Sequence, residues 1–275
     1  MEIGIVTSFM KGLSFTASLP MIQAAGFRVV GLGGIPELSG YATPEDRKVL
    51  VSLLRELGLS IDSIHAPFPE GDRLFDEDEA ARQESLRLCR LALDAAAEVG
   101  GRRVVVIHLI QPYGIPAGPQ RERKIDQGRR SVAELADYAG QRQVFLALEN
   151  GQRQEYDDVL FQLLDEMALP QVGLCYDSGH ENVQGKCFDI LQRYGQRLMA
   201  LHIHDNTGTD THLLPYEGNI DWDAFRKLIP GLNYNGDLLL ESSMNNSQFK
   251  EPEMFLSEAA CRARKILGVS EASEH

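Results

Sequence analysis

Short apolar runs alternate with longer amphipathic segments along the whole chain. The eight runs are residues 2–7, 28–32, 60–65, 103–108, 144–149, 172–177, 198–204 and 237–241. Several are rich in Val, Ile and Leu with few polar residues, a pattern typical of parallel strands that are covered on both faces. We therefore predict eight strands in a parallel sheet.

The segments between these runs carry helix signals. Residues 43–46 (TPED) combine a capping hydroxyl, a proline in the first turn and acidic residues, which predicts a helix that ends near Gly58. A second helix is predicted over about 76–99 because its apolar residues recur at helical spacing. Further helices are predicted near 16–25, 125–140, 155–168, 185–195, 222–229 and 252–267. Glycine often closes a helix, and three predicted helices end near such a residue: Gly26, Gly140 and Gly195.

The strict alternation of strands and helices predicts the fold class. Eight strand–helix units in 275 residues favour a single (β/α)₈ TIM barrel of the α/β class over an open, doubly wound sheet. Residues 1–268 are predicted to form this barrel, and residues 269–275 are predicted to be a disordered polar tail. The first strand is not followed by a GxGxxG motif, which argues against a dinucleotide site.

Charge and composition narrow the classes of partner. The net charge of −13 argues against nucleic acid and fits a small neutral substrate or a cation. Apolar residues make up 43% of the chain, yet none of their runs approaches the ~20 residues of a membrane span. The four cysteines form no CxxC pair, which is typical of reduced core residues and predicts a cytoplasmic protein.

Ionisable residues cluster at the predicted strand ends. Glu149, Asp177 and Glu241 each end a strand, and most of the histidines lie at or shortly after one: His65, His108, His180, His202, His204 and His212. All strand carboxyl ends meet on one face of a barrel, where active sites are built. Carboxylates buried together need a compensating cation, and their mixture with imidazoles is typical of a metal site. We therefore predict at least one divalent metal bound by Glu149, Asp177, His202 and Glu241.

Each of these residues also has a simpler interpretation. A single strand histidine is more often a hydrogen-bonded core residue than a ligand, and Asp177 could merely cap the next helix. Asn150 could orient Glu149, contact substrate or occupy a turn. His204 could line the pocket or support a neighbour. Glu149 and Glu241 are the strongest candidates, because each is a charge at the end of an apolar run.

An ordered set of motifs covers nearly the whole chain. It comprises HAP (65–67), VVVIH (104–108), LEN (148–150), CYDSGH (175–180), HIHDN (202–206), the segment DTHLLPYEGNIDW (210–222) and LLLES (238–242). The set resembles the xylose-isomerase-like TIM-barrel superfamily, which contains sugar isomerases and epimerases, inosose dehydratases and endonuclease IV. The segments HIHDN and DTHLLPYEGNIDW are most similar to those of proteins described as sugar phosphate isomerases/epimerases.

The resemblance implies specific roles. Glu149, Asp177, His202 and Glu241 would bind the common metal, and in the isomerase and epimerase branch the two glutamates also move protons. Endonuclease IV binds three zinc ions through nine ligands, whose counterparts here are His65, His108, Glu149, Asp177, His180, His202, Asp210, His212 and Glu241. Residues 149–153 (ENGQR), 177–180 (DSGH) and 202–205 (HIHD) depart from that nuclease's typical segments.

The leading hypothesis is a divalent-metal-dependent isomerase or epimerase of a small sugar or polyol. Glu149 and Glu241 would transfer the proton through an enediolate, with His180 as a further catalytic group and Asn150 and His204 contacting substrate. The expected cofactor is one Mn²⁺, Zn²⁺, Mg²⁺ or Co²⁺ ion, with up to three if His65, His108, His180, Asp210 and His212 also bind metal.

Three alternatives stay open at this point. They are a three-zinc phosphodiesterase on abasic DNA, a dehydratase of the same superfamily, and a non-catalytic barrel that keeps a metal for stability or binds a sugar as a sensor. The exposed helices allow a homo-oligomer, and residues 111–124 are predicted to form a lid or a subunit contact. Aromatic residues that could line the pocket or simply pack are Phe15, Phe68, Tyr113, Tyr216 and Trp222.

Overall fold

A computed structural model describes residues 1–109 and 115–269. In that part of the chain, eight parallel strands form one sheet, and each lies within a predicted run. The strands are β1 (Ile3–Val6), β2 (Val29–Leu32), β3 (Ser60–His65), β4 (Val104–His108), β5 (Phe145–Glu149), β6 (Val172–Asp177), β7 (Leu198–His202) and β8 (Leu238–Leu240). The predicted TIM-barrel fold is confirmed.

The sheet runs in the order β7-β6-β5-β4-β3-β2-β1-β8 and closes between its two outer strands. Ile203, the residue after β7, donates its N–H to the carbonyl oxygen of Leu239 at 2.9 Å. The N–H of Glu241 donates to the carbonyl oxygen of Ile203 at 2.9 Å. The strand predicted over 198–204 is therefore shorter and ends at His202. Ile203, the residue that follows it, forms the hydrogen bonds that close the barrel.

Helices lie between the strands. The α-helices that the structure describes are α1 (Phe15–Ala24), α2 (Pro36–Ser39), α3 (Pro44–Leu57), α4 (Glu79–Val99), α5 (Pro119–Arg142), α6 (Gln154–Glu166), α7 (Ser178–Val183), α8 (Asp189–Tyr194), α9 (Trp222–Leu228) and α10 (Pro252–Leu267). The predicted start of α3 is confirmed, since the Thr43 side chain accepts the N–H of Asp46 and Gly58 adopts a left-handed φ of 64°.

The predicted bounds of α5 were wrong at both ends. Gly140 does not close α5 but lies inside it, where a Cβ atom would stand 3.3 Å from the Gln171 amide nitrogen. The same helix begins at Pro119 instead of near Ile125, because its first turns are polar and its buried face starts at Ile125. Residues 119–124, predicted to belong to a lid or subunit contact, are therefore helical, and residues 110–114 with Tyr113 lie outside the described part.

Alternating residues of the strands fill the barrel interior with small and branched side chains. Val104, Val106, Ala147, Cys175 and Ala200 form a buried cluster of their own inside β4 to β7. On the opposite side, Leu239 fills the space that Gly4 and Gly31 leave, since a Cβ atom at either glycine would lie within 3.0 Å of its side chain. These packed side chains fill the interior of the barrel below the carboxyl ends of the strands.

The prediction that the cysteines are reduced core residues is correct for two of the four. All four cysteines are free, and Cys89 and Cys175 are buried as predicted. Cys187 and Cys261 are exposed, because they lie in the loop before α8 and on the outer face of α10. In the described residues, no helix combines the length and the apolar character that crossing a membrane requires. The predicted tail lies outside the described part except for Val269.

Candidate metal centre and active site

The period of the strands positions the ionisable residues. The inward face of β4, β5 and β6 carries an ionisable residue two positions after the last apolar one. His108 follows Val106 in this way, Glu149 follows Ala147, and Asp177 follows Cys175. The register pairs His108 with Glu149, and Asp177 with His202 across the next two strands. Because every second side chain of a strand points to the same face, the inward-facing positions are apolar in the middle of the barrel and ionisable at the carboxyl ends of the strands, where they form a polar ring. The ring comprises His65, His108, Glu149, Asp177, His202 and Glu241.

Four residues of this ring form a compact donor cluster. Glu149, Asp177, His202 and Glu241 each offer one ligand atom, and these atoms lie within 4.8 Å of one another. The Nδ1 atom of His202 lies 2.7 Å from Glu149 Oε1 and 3.2 Å from Glu241 Oε2. We call these four residues the primary cluster.

The primary cluster fits a divalent ion. Glu149 and Asp177 are at most 1% exposed, so water can offset little of the repulsion between their carboxylates, and a bound cation would do so. Three carboxylates and one imidazole form a donor set that Mn²⁺, Zn²⁺ or Co²⁺ accepts readily, whereas Mg²⁺ prefers oxygen alone. The structure therefore brings together all four residues predicted to bind the common metal.

The two glutamates of the primary cluster are held in the ionised state. Burial raises the pKa of the Glu149 carboxyl, but the facing imidazoles of His202 and His65 outweigh it and hold that pKa well below its usual range. Burial also raises the pKa of the Glu241 carboxyl, but the imidazole of His202 outweighs this effect and lowers that pKa to about 2. Both groups are thus available at neutral pH as ligands and as proton acceptors.

Asp177 is held by its neighbours from two sides. Its backbone N–H donates to Asn150 Oδ1 at 2.7 Å, and its carbonyl oxygen accepts from Asn150 Nδ2 at 3.0 Å. Its carboxylate accepts the N–H of His180 at 2.6 Å and so caps α7. The simpler interpretation of Asp177 as a helix cap is correct, and it coexists with the place of Asp177 in the primary cluster.

A second group of donors lies beside the first. His180, His204, Asp210 and His212 also offer ligand atoms within 4.8 Å of one another. Asp210 is central, at 3.6 Å from His180 Nε2 and 3.3 Å from His212 Nε2. These imidazoles hold the pKa of Asp210 far below its usual range against the effect of burial, and Asp210 in turn raises the pKa of His212 to about 9 although burial opposes it.

Three imidazoles share one orientation. The Nδ1 atoms of His65, His180 and His212 lie 2.6, 2.8 and 2.7 Å from backbone carbonyl oxygens. A carbonyl oxygen can only accept, so each Nδ1 carries the proton. The Nε2 atom is left facing the site, and it is the nitrogen that would bind a metal once it has lost its proton, an arrangement typical of histidine ligands.

His65 and His108 lie outside both clusters in the described part of the chain. His65 Nε2 is 3.5 Å from Glu149 Oε2. His108 is held neutral because burial lowers its pKa to about 4, and its Nδ1 has no hydrogen-bond partner among the described residues. Seven of the nine predicted metal-binding positions thus belong to a cluster, and these two line the cavity beside Glu149.

The predicted substrate contacts, Asn150 and His204, are fully buried. Asn150 links the ends of β5 and β6, as described above. His204 Nε2 lies 3.1 Å from the Asp177 carboxylate and joins the two clusters. Direct contact of either residue with substrate stays a prediction, while their hydrogen bonds place them as supports of Asp177.

Sequence reasoning missed two contributors. Gln152 lines the cavity and donates its amide to Asp210 Oδ2 at 2.7 Å, and its position two residues after Asn150 was the only available signal. Asp205 organises the loop after β7. Its buried carboxylate accepts the backbone N–H groups of Asn206, Tyr216 and Ile220 and the indole N–H of Trp222.

Comparison with known proteins assigns the family. The family model described as xylose isomerase-like TIM barrel matches residues 19–263. The chain belongs to this family. The resemblance inferred from the motifs is therefore confirmed.

Within the xylose isomerase-like family, several relatives are sugar epimerases. The chain is 22% identical to a D-psicose 3-epimerase of Enterocloster bolteae over 80% of this chain and 74% of that protein. It is 27% identical to a fructoselysine 3-epimerase of Escherichia coli O157:H7 over 69% and 70%. An uncharacterized protein of Sinorhizobium fredii is 28% identical over 86% and 84%.

Solved structures share the architecture of this family. A D-tagatose 3-epimerase-like protein superposes with a TM-score of 0.80 at 22% identity and covers 98% of both chains. A D-psicose 3-epimerase studied in the presence of D-fructose gives a TM-score of 0.80 at 16% identity, covering 98% of this chain and all of the other. At these identities the likeness shows the fold.

Proposed function

We propose that this chain is a divalent-metal-dependent isomerase or epimerase of a small sugar or polyol. The observation that carries the proposal is the placement of Glu149 and Glu241. Both carboxylates contact His202 Nδ1, and both line one cavity of about 200 Å³ at the strand ends. The related sugar 3-epimerases support the same class of reaction.

Two ionised carboxylates on one cavity suit the transfer of a proton to and from carbon. One of Glu149 and Glu241 removes the proton from the carbon next to the substrate carbonyl. The other returns it to the neighbouring carbon or to the opposite face, which gives isomerisation or epimerisation. A divalent ion held by Glu149, Asp177, His202 and Glu241 supplies Lewis acidity that stabilises negative charge on the substrate oxygens.

The remaining cavity residues orient the substrate. His180 presents Nε2 to the cavity because its Nδ1 is bound to the carbonyl oxygen of Asn150. His65, His108 and Gln152 offer further polar groups to sugar hydroxyls. Asp177 and His202 are buried and do not line the cavity. They serve the site as ligands and not as substrate contacts.

The test is solvent proton exchange in heavy water. The metal-loaded protein is mixed with a panel of free and substituted ketohexoses, and deuterium at the carbon next to the carbonyl is followed by NMR. We expect Glu149→Gln and Glu241→Gln to lower the exchange rate by roughly 10²–10⁴-fold, the contribution of a general base. The metal content of each variant is measured in the same sample, which separates loss of the base from loss of the ion.

Glu56→Gln is the matched control, because Glu56 is an exposed glutamate on α3. It should exchange at the rate of the parent protein. A Glu149→Gln variant that retains metal and full exchange would rule out Glu149 as the base. If the metal-loaded parent exchanges no proton on any of these sugars, the proposed function is wrong.

The three-metal phosphodiesterase remains the second candidate. The cluster around Asp210 favours it, because it offers ligands for an ion beyond the first. Incision of an abasic duplex by protein that holds three ions would establish it over the epimerase. A dehydratase uses the same base, and its product would lack one hydroxyl group in the NMR experiment.

A further inference from the structure

A second cavity adjoins the one above the primary cluster. Its volume is about 560 Å³, and it shares Phe68, His212 and Glu241 with the smaller cavity of about 200 Å³. It extends from Glu241 toward the end of β1, between residues 7–13 and α2. Small-molecule sites span about 300–1,000 Å³, a range that the larger cavity reaches and the smaller does not. The site therefore has room for more than the reacting part of a sugar.

The wall of the larger cavity is mainly apolar. It is formed by Met10, Leu13, Ile35, Leu38 and Phe68. Ile35 is 50% exposed and Phe68 is 41% exposed, unusual for large apolar side chains beside an active site. Exposed apolar groups that surround a cavity indicate a binding surface for an apolar group.

Three hydroxyl groups of this cavity, those of Thr7, Ser39 and Ser242, form hydrogen bonds within the protein. Thr7 Oγ1 accepts the N–H of Gly33, and Ser39 donates its hydroxyl to the carbonyl oxygen of the same glycine. Ser242 donates its hydroxyl to the carbonyl oxygen of Leu213. These hydroxyls are satisfied without a ligand, so an apolar occupant leaves none of them unpaired.

Positive charge is sparse at this cavity. Among its lining residues that the structure describes, Lys11 is the one lysine and arginine is absent, and the imidazole of His212 is paired with Asp210 at 3.3 Å. Phosphate sites more often use arginine or several convergent donors. The charge and the lining together favour an uncharged group over a phosphorylated or carboxylated one.

We propose that the substrate is a ketose or keto sugar that carries an uncharged, largely apolar substituent. The reacting carbons lie between Glu149 and Glu241 in the smaller cavity, and the substituent occupies the larger one. Glu241 stands where the cavities join, so the substituent is attached to the end of the sugar that faces Glu241. This inference rests on the proposed function, since it assigns the substrate class of the same site.

The experiment compares matched substrates on the metal-loaded protein. D-fructose, D-psicose and D-tagatose are each tested free, as the 1-O-benzyl and 6-O-benzyl ethers, and as the 6-phosphate. We expect one benzyl ether to exceed its parent sugar and its phosphate at least tenfold in kcat/KM. Calorimetry with the Glu149→Gln variant should show the same order of binding, which provides a readout without turnover.

Leu38→Trp narrows the larger cavity from a wall residue that does not belong to the primary cluster. It should remove the preference for the benzyl ether, measured as the kcat/KM for the ether divided by the kcat/KM for the free sugar with the same variant. The matched control is Val49→Trp, because Val49 is an exposed apolar residue on α3, outside the residues that line either cavity. It should keep the preference.

Three outcomes would overturn the inference. Free sugars could be turned over as well as every benzyl ether, or the phosphates could be preferred and lose that advantage in Lys11→Ala. Alternatively, Leu38→Trp could change the molecular mass in light scattering without changing specificity, which would assign the apolar wall to a second copy of the chain. Each of these leaves the proposed function standing, whereas the absence of proton exchange on every sugar overturns the proposed function itself.

Discussion

Asn150 joins the ends of β5 and β6, and its removal should damage both the fold and the primary cluster. Its side chain satisfies the backbone N–H and the carbonyl oxygen of Asp177, at 2.7 and 3.0 Å. Asn150 is fully buried, so water cannot replace either hydrogen bond without a rearrangement. The Asn150→Ala variant leaves a buried donor and a buried acceptor unpaired.

The magnitude follows from those two groups. An unsatisfied buried backbone group costs about 1–3 kcal/mol. The free energy of unfolding of the metal-free variant should therefore fall by about 2–6 kcal/mol. The Asp177 carboxylate should also lose its fixed position, and loss of such a support typically lowers metal affinity about 10–100-fold.

Urea unfolding and metal titration measure the two effects. Asn235→Ala is the matched control, because Asn235 is exposed in the loop before β8, and its free energy of unfolding should stay within about 0.5 kcal/mol of the parent. If Asn150→Ala were as stable as the control and bound metal as tightly as the parent, Asn150 would not be the link that the structure indicates.

Two further changes test other parts of the structure. Arg102 pairs with the fully buried Asp62 near the amino ends of the strands, so Arg102→Met should lower the free energy of unfolding by about 3–5 kcal/mol in urea, and adding Asp62→Asn should recover much of that loss. Burial raises the pKa of Asp157 to about 6, compared with about 4 in the unfolded chain. The protonated Asp157 carboxyl therefore contributes fully to the free energy of unfolding below about pH 4, and this contribution is lost as pH rises through 6. Asp157→Asn should therefore gain stability relative to the parent protein between pH 4 and 7, by at most about 3 kcal/mol, and a pH-independent difference in unfolding free energy would contradict this.

The strands could be predicted because their side-chain pattern is continuous. Each apolar run had to be buried on both faces, and a parallel sheet covered by helices is the arrangement that achieves this. Gly140 shows where the reasoning failed: a glycine signals freedom of the backbone, but here its missing side chain makes room for Gln171. Only the tertiary contact distinguishes the two uses.

The site was predictable wherever chemistry coincided with a strand end. Glu149 and Glu241 were evident because a charge closes an apolar run and needs a partner. The separation of His65 and His108 from the two donor clusters could not be read from the sequence, since it depends on side-chain distances across the barrel. Phe68 was named from the sequence as a residue that could line the pocket, and it lines both cavities. Gln152 and the rest of the apolar cavity wall were hidden, because the sequence carries no period there that predicts the direction of a side chain.

Counting ions per chain tests the central claim most directly. The protein is saturated in turn with Mn²⁺, Zn²⁺, Mg²⁺ and Co²⁺, passed through a desalting column and submitted to elemental analysis, alongside Asp177→Ala and His212→Ala. We predict at least one tightly bound ion per chain that is lost in Asp177→Ala and kept in His212→Ala, because only Asp177 belongs to the primary cluster. An Asp177→Ala variant that retains as many ions per chain as the parent protein, or a parent protein that retains none of the four metals, would contradict the proposed site.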